Sequence, residues 1–395
     1  MPQADLTARV ARAMAEVEAI QWDACANPVD LGAEERRDER YNPFLTHAFL
    51  NALEQSGSVG GRSGWTPMHV LIEDGAGHLL AAAPTYRKAH SRGEYVFDHA
   101  WADAYERVGG RYYPKLLVAV PFTPVTGRRL LVRPGENANL ARAALIAALR
   151  ALREAIGASS IHITFPDRYD CDALARAGFL ERHGEQFHFD NPGYADFESF
   201  LSALNSRKRK TIRRERADAV GEDVTVEWAT GGSLSEKHWD AFFAFYMDTG
   251  SRKWGSPYLT RSFFSQIGAT MADRILLVLA KRKGRYIAGA LNFIGDDALY
   301  GRNWGAIEER QFLHFELCYY QAIEFAIKRG LKRVEAGAQG EHKLARGYRP
   351  VPTFSAHELA DRRLSTAVAD YLAREREAVK ETIAFYDEHA PFKKA

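Results

Sequence analysis

The sequence predicts an α/β protein built from two similar domains, and three observations lead to this prediction. The chain has 395 residues, which is long for a single hydrophobic core. Hydrophobic residues make up 46% of the chain and aromatic residues 12%, as in a folded protein with a sizeable interior. A meander of strands, a long helix and a further strand occur once in each half. We therefore predict domains at residues 1–192 and 193–395, divided within the segment DNPGY.

The elements of the first half follow from apolar patterns and turn residues. Residues 68–88 predict two strands joined by a turn at Asp74–Gly77, and residues 115–125 predict a third, strongly apolar strand. A long helix is expected over residues 137–157, with Asn137 or Asn139 as its cap and Gly157 as its end. Further elements are expected at residues 159–166 (strand), 171–179 (short helix) and 185–191 (strand).

The second half repeats this order. Residues 274–306 predict three strands with turns at Lys283–Gly284 and Gly295–Asp296. Apolar residues at helical spacing predict a helix over residues 311–330, which Gly330 ends. Residues 333–337 and 352–359 predict two more strands.

Charge and hydropathy exclude several classes of protein. The 53 basic and 51 acidic residues give a net charge of +2, so no general attraction to nucleic acid is indicated. The N-terminus lacks the apolar core of a secretory signal, and no stretch reaches the roughly 18 apolar residues of a membrane span. We therefore expect a cytoplasmic protein, either free or at the inner face of the cytoplasmic membrane.

Cysteine and histidine give no sign of a disulfide framework or a metal site. Cys25, Cys171 and Cys318 form no paired motif, which indicates reduced thiols. The 13 histidines include no HExxH-like pair, so we expect no metal ion.

Residues 335–350, EAGAQGEHKLARGYRP, connect the predicted helix region to the last strand and are rich in titratable groups. A surface loop needs turn residues and solubility, but it does not need two carboxylates, a histidine and three cations within so few positions. Without further information this segment is either a polar loop that caps its neighbours or a chemical site.

Several long phrases resemble those of the bacterial FemAB-like N-acyltransferase family, which is often labelled a "peptidogalycan biosynthesis" family. In the second half these are YMDTGSRKWGSPYLTRSFF, YGRNWGA, HFELCYYQAIEFAI and EAGAQGEHKLARGYRP. In the first half they are FDHAWADAYERVGGRYYPKLLVAVPFTPVTGRRLL and AGFLERHGEQFHF. The resemblance extends from about NPFLTHAFL to the end of the chain. It implies two tandem acetyltransferase-type (GNAT) domains in the arrangement of FemAB-like aminoacyltransferases.

The resemblance also implies transfer of an acyl group to a primary amine. Some relatives acylate long-chain amino alcohols, as bacterial ceramide synthases do, whereas the more distant FemAB branch uses aminoacyl-tRNA. We expect a long acyl group, carried by acyl-CoA or an acyl carrier protein as co-substrate, and an amine such as a sphingoid base. No tightly bound cofactor is expected. The alternatives are aminoacyl transfer from tRNA and a non-catalytic protein that binds acyl or nucleotide groups.

One departure from the GNAT pattern leaves the donor open. Ordinary GNAT domains bind the CoA pyrophosphate with an Arg/Gln-x-x-Gly-x-Gly/Ala loop at the start of the long helix. The matching segment of the second half, AIEERQFLHF, has no glycine and two glutamates. The segment TGRRLLVRPGENANL of the first half is basic but is not the motif either.

Amide formation needs a base for the ammonium group, donors for the oxyanion and a proton for the leaving group. With the resemblance in hand, we assign these tasks to the segment 335–350. The predicted catalytic residues are Glu335, Glu341, His342 and Lys343. Gln339 and Arg346 are predicted to contact substrate.

Substrate-binding residues are also predicted outside this segment. Arg302 and Trp304 lie at the end of a strand, although a tryptophan such as Trp304 is slightly more often plain core. Glu316 lies on the apolar side of its helix, so it is either paired, with Arg302 or His342, or exposed by helical drift. Three more candidates belong to an aromatic-rich loop that either lines a groove or packs it: Asp98, Trp101 and Tyr105.

The segment RKRKTIRRER, residues 207–216, has seven basic residues in ten. Phosphates of a donor, an acidic carrier protein, tRNA and anionic lipid headgroups would all suit it, and a solvated helix is the plain alternative. The residues predicted to bind the donor's phosphates are Arg207, Lys208, Lys210 and Arg213.

Overall fold

The structure is a computed structural model that describes residues 5–29, 41–253, 257–337 and 340–393. Two compact units form: Met1–Gly184 with Thr353–Lys380, and Glu185–Pro352 with Glu381–Ala395. These units differ from the predicted domains, 1–192 and 193–395, at residues 185–192 and 353–380. The second difference has a physical cause, because the strand at 355–359 pairs with a strand of the first unit.

The first unit contains these strands: β1 (Leu6–Ala11), β2 (Trp65–Pro67), β3 (His69–Asp74), β4 (Leu79–Ala83), β5 (Thr85–Lys88), β6 (Lys115–Val118), β7 (Leu131–Val132) and β8 (Ser160–Thr164). Its helices are α1 (Ala19–Ala26), α2 (His47–Gln55), α3 (His99–Arg107), α4 (Ala138–Ala155) and α5 (Arg168–Arg176). Strand β9 (Leu180–Asp190) begins in the first unit and ends in the second.

Elements with a place in the second unit are α6 (Phe197–Ala203), α7 (Ser206–Val220), β10 (Val224–Ala229), α8 (Glu236–Lys253), α9 (Arg261–Thr270), β11 (Ile275–Arg282), β12 (Arg285–Ile294), β13 (Ala298–Ala306), α10 (Leu313–Phe315), α11 (Gln321–Arg329), β14 (Arg333–Glu335), β15 (Arg349–Leu359) and α12 (Arg362–Glu388). A π-helical turn at Glu316–Tyr320 joins α10 to α11, and a short 3₁₀ helix spans Glu341–Arg346.

The sheets of the first unit are built from antiparallel strands, a helix and a parallel strand, in the order that the sequence predicts. Strands β1, β3, β4 and β7 form one antiparallel sheet in that order. In the other sheet β2, β5 and β6 are antiparallel, β6 and β8 are parallel, and β15 pairs antiparallel with β8. The predicted strand at 115–125 is shorter than expected, since β6 ends at Val118.

The second unit repeats the same order. Strands β10, β11, β12 and β13 form an antiparallel meander, β13 and β14 are parallel, and β9 pairs antiparallel with β14. The predicted turn at Lys283–Gly284 joins β11 to β12. Helices α10 and α11 with their π-helical turn pack on this sheet, in a core that includes Leu276, Val278, Leu317 and Ile323. The predicted α/β class with two similar domains is confirmed.

Candidate active site

Strands β13 and β14 diverge at the point where the predicted catalytic segment begins. They pair at three positions, the last of which joins Tyr300 to Glu335. Beyond this position β13 continues to Ala306, whereas β14 ends and the segment that follows Glu335 leaves the sheet. The β12–β13 pairing also shifts register between Leu291 and Asn292. A cavity of about 90 Å³ opens at this divergence, and its walls include Arg302, Trp304, His314, Cys318, Tyr319 and Ala336.

Glu335, the last residue of β14, is a buried carboxyl with one unpartnered oxygen. The side chain of Arg333 donates to its Oε1 at 3.0 Å. Oε2 accepts no hydrogen bond from the described residues. Burial raises the pKa of Glu335, although the cations Arg333 and Arg302 oppose this shift. A carboxyl with these properties can accept a proton from a group that reaches its unpartnered oxygen, and the next residue, Ala336, lines the cavity.

His188, on β9, faces Glu335 with Nε2 3.8 Å from Oε2. Burial lowers the pKa of His188 to about 3, with Arg333 adding to the effect. The imidazole is therefore neutral at physiological pH and adds no charge beside Glu335. No sequence pattern singles out His188, because it stands between Phe187 and Phe189 in what looks like an ordinary buried strand.

The 3₁₀ helix Glu341–Arg346 places two more of the predicted catalytic residues. Nε2 of His342 lies 2.8 Å from the Tyr319 hydroxyl, and Tyr319 is a wall of the small cavity. Burial, followed by Lys343 and Arg346, lowers the pKa of His342. Gly340 is required here: its φ is +116°, and a Cβ would lie 2.3 Å from the His342 ring.

Lys343 is buried, and its Nζ donates to the carbonyl oxygen of Gly337 at 2.8 Å. Burial lowers the pKa of Lys343 to about 8. The ammonium group is therefore still present at pH 7 but gives up its proton more readily than a surface lysine. Two other residues predicted for the site stay predictions: Gln339 lies outside the described residues, as does the side chain of Glu341.

Arg346 holds the 3₁₀ helix in place and is not open to solvent. Its Nη2 donates to both carboxylate oxygens of Glu215 on α7, at 2.9 and 3.0 Å, and Nη1 donates to the carbonyl of His342 at 2.7 Å. The guanidinium lies 3.4 Å from the centre of the Phe315 ring. The substrate contact predicted for Arg346 stays a prediction, while its visible contacts are those of a residue that positions the helix.

The prediction of the residues that pair with Glu316 was wrong. Its carboxylate accepts from Arg216 of α7, at 2.9 and 3.0 Å, and from Gln321 at 2.7 Å, rather than from Arg302 or His342. The basic segment supplies this cation, because α7 turns Arg216 inward. Only 1% of Glu316 is exposed, so it secures α7 against the π-helical turn.

A second cavity, of about 580 Å³, adjoins the small one and shares Trp304 and His314 with it. The segment before α10 forms part of its wall through Glu308, Glu309 and Arg310. Arg310 donates to the backbone carbonyls of Ala219, at 2.7 Å, and Val220, at 3.0 Å. It also pairs with the carboxylate of Asp223 at 2.8 Å. The one cation of this segment is therefore already engaged, and its two carboxylates are paired as well, Glu308 with Arg282 at 3.1 Å and Glu309 with Arg252 at 3.6 Å.

The candidates of the first unit are packed inside it. Lys115 forms a buried ion pair with Asp98, whose Oδ2 also accepts from Tyr112 at 2.8 Å. Trp101 is buried and stacks on His162. Tyr105 is half-buried, and its ring lies against Gly110. Of the two readings open for this loop, the structure favours packing.

The basic segment forms α7, which begins with the Asn205 side chain accepting from the Lys208 amide. Arg207, Lys210 and Arg213 are exposed, and Lys208 is half-buried. Arg213 pairs with the exposed Glu198 at 2.5 Å. The opposite face of the helix is buried. Donor binding by these cations stays a prediction.

No group of three or more His, Cys, Asp or Glu side chains among the described residues is arranged to hold a metal ion. No described helix is both long enough and apolar enough to cross a membrane.

Comparison with known proteins gives a family and a fold. Residues 13–394 match the FemAB-like family, described as "Peptidogalycan biosysnthesis/recognition". No curated protein is significantly similar in sequence. The crystal structure of FemX is 12% identical over 89% of this chain and 98% of FemX, with a TM-score of 0.55. This likeness shows a shared fold.

Two further solved structures have lower TM-scores. L-PGS from Bacillus licheniformis is 11% identical over 85% of this chain and 97% of its own, with a TM-score of 0.49. A tandem GNAT protein from the clavulanic acid biosynthesis pathway is 12% identical over 90% and 99%, with a TM-score of 0.47.

Proposed function

The chain belongs to the FemAB-like family, and we propose that it transfers an acyl or aminoacyl group to a primary amine at the divergence of β13 and β14. The observation that carries this proposal is Glu335. Its buried carboxyl has an unpartnered oxygen and a raised pKa, and the next residue, Ala336, lines the small cavity. Asp98 also has a buried oxygen without a hydrogen bond, but its pKa is lowered, whereas that of Glu335 is raised.

The chemistry follows from this placement. An ammonium group in the small cavity gives a proton to Glu335, because a base is needed to expose the nitrogen lone pair. The neutral amine then attacks the carbonyl carbon of the donor, a C–N bond forms, and the C–S or C–O bond to the leaving group breaks. Lys343, with a pKa of about 8, gives a proton to the leaving sulfur or oxygen and takes up the second proton that the attacking nitrogen loses. The proton held by Glu335 passes to solvent, which restores the site.

The finer question is the kind of donor, and aminoacyl transfer is the first candidate. The family description concerns peptidoglycan, whose bridges are built by aminoacyl transfer. The segment before α10 supports this choice, since its one cation, Arg310, is already paired and leaves no unpaired positive charge of this segment for a CoA pyrophosphate. In this reading an aminoacyl ester is the donor.

Long-chain acyl transfer to a sphingoid-type amine is the second candidate. The observation that favours it is the aromatic wall shared by the two cavities, formed by Trp304 and His314 and extended by Tyr319. Such a wall suits an alkyl chain. The comparisons support acyl or aminoacyl transfer in general and add nothing for this particular acceptor.

One experiment separates the candidates. The protein is incubated with a mixture of labelled aminoacyl-tRNAs and, separately, with palmitoyl-CoA, each against amines that include a peptidoglycan stem peptide and a long-chain amino alcohol. Products are identified by mass. We expect an amide that requires one amine and, for the first candidate, disappears after ribonuclease treatment. If folded protein forms no amide from either donor, the proposed function is wrong.

A further inference from the structure

The outer face of α7 carries a dense group of cations that the proposed chemistry does not use. At 3.6 residues per turn, Arg207, Lys210, Arg213 and Arg214 fall within about 120° of arc, opposite the buried stripe of Ile212, Glu215 and Ala219. All four cations are exposed. They span about 10 Å along the helix at 1.5 Å per residue.

Most of this charge is not neutralised. Among the described residues, only Arg213 of these four has an acidic partner, Glu198, and Lys208 and Arg209 at the same end of the helix form no ion pair either. Three exposed cations of the outer face, Arg207, Lys210 and Arg214, therefore have no acidic partner among the described residues, on a protein whose net charge is only +2. Such a local concentration of one sign attracts an extended anionic surface.

The outer face of α7 lacks the aromatic side chains that would indicate single-stranded nucleic acid. Proteins that bind single-stranded nucleic acid combine cations with aromatic side chains on which bases stack. The outward residues of α7 between 206 and 218 include no aromatic side chain, and the capping side chain of Asn205 is engaged with the helix. A plane of lipid phosphates needs only cations on one face, each of which adds to the attraction.

We propose that the outer face of α7 docks the protein on an anionic phospholipid bilayer. Contact is electrostatic, because no exposed large apolar side chain lies on this helix to insert between lipids. Docking also orients the site: the inner face of α7 holds the 3₁₀ helix through Glu215 and Arg346, and the π-helical turn through Arg216 and Glu316. The candidate active site is thereby fixed to the helix that meets the lipid.

The test measures binding and needs no turnover, so its result does not depend on the proposed function. Full-length protein is sedimented with vesicles of phosphatidylcholine alone and of phosphatidylcholine with 30% phosphatidylglycerol, chosen as a probe composition, at low and high salt. The variant R207Q/K210Q/R214Q removes three exposed cations from α7. The control, K237Q/K283Q/R285Q, removes three exposed cations elsewhere in the same unit.

We expect the natural chain to sediment with anionic vesicles only, and salt to release it. Each cation near an anionic surface contributes about fivefold in affinity, so the α7 variant should bind about 100-fold more weakly and the control nearly normally. Circular dichroism and thermal melting verify that each variant is folded. If the triple variant does not fold, Lys210 alone is replaced by Gln, and we then expect binding about fivefold weaker than that of the natural chain.

Three results would overturn the proposal. The natural chain could fail to bind anionic vesicles, or the α7 variant and the control could lose binding equally. Duplex RNA, added as a soluble polyanion, could bind through α7 while vesicles do not, which would assign the face to nucleic acid instead.

Discussion

Replacing Glu215 by glutamine should loosen the 3₁₀ helix that carries His342 and Lys343. The substitution keeps the shape of the side chain but removes the charge that Arg346 contacts at 2.9 and 3.0 Å. Arg346 is 6% exposed, so its guanidinium would be left buried without a counter-ion. Breaking a buried ion pair in this way costs about 3 to 5 kcal/mol.

For E215Q we expect a loss of stability at the lower end of that range. Arg346 keeps its bond to the His342 carbonyl and its contact with the Phe315 ring. A loss of about 3 kcal/mol corresponds to a fall of roughly 9 °C in melting temperature for a unit of this size. The double variant E215Q/R346M should recover about 2 kcal/mol relative to the sum of the single variants, because neither charge is then buried alone.

Calorimetry of the four proteins gives the melting temperatures, and hydrogen exchange of residues 341–346 shows whether the loss is local. Arg213→Gln is the matched control: it removes an exposed pair with Glu198 and should change stability by less than about 1 kcal/mol. If E215Q melts like the natural chain, or the double variant is merely additive, the clamp does not stabilise the 3₁₀ helix.

Two further predictions concern acid stability and close packing. Because the folded-state pKa of His188 is about 3 against 6.5 when unfolded, its stabilising contribution is complete above pH 6.5 and is lost as pH falls toward 3; by pH 5 the loss is about 2 kcal/mol. Urea unfolding at pH 8 and pH 5 should show a smaller difference for H188Q, and an unchanged difference would contradict the shift. A Cβ at Gly305 would lie 2.3 Å from the backbone of Phe245 on α8, so G305A should cost more than about 2 kcal/mol in urea unfolding. The open position Gly232 serves as control, since G232A should be nearly neutral, and equal effects would refute the clash.

The fold could be predicted from the sequence because its elements are local patterns. Alternation and turn residues give the meander before residue 306, and helical spacing gives the helix that Gly330 ends. The pairing of β15 with β8 could not be predicted in this way. Alternation identifies residues 352–359 as a strand, but it does not say which neighbour supplies the hydrogen bonds.

The candidate site was predictable only in part, for a similar reason. Glu335 and Lys343 stand out in a polar segment, and the structure buries both. The partners that place them come from far along the chain: His188 lies on β9 and Glu215 on α7. Glu215 is hidden in a run of cations, where composition suggests a solvated helix and gives no sign of an inward carboxylate.

The most direct test of the central claim is the rate of amide formation by Glu335→Gln, measured with whichever donor and amine the natural chain uses. Glu222→Gln makes the same chemical change at an exposed position of the same unit and is the control. The account predicts that E335Q, folded normally, loses activity by about 100-fold or more while E222Q keeps it, because a positioned base contributes at least that factor. An E335Q enzyme as active as E222Q would contradict the assignment of the base.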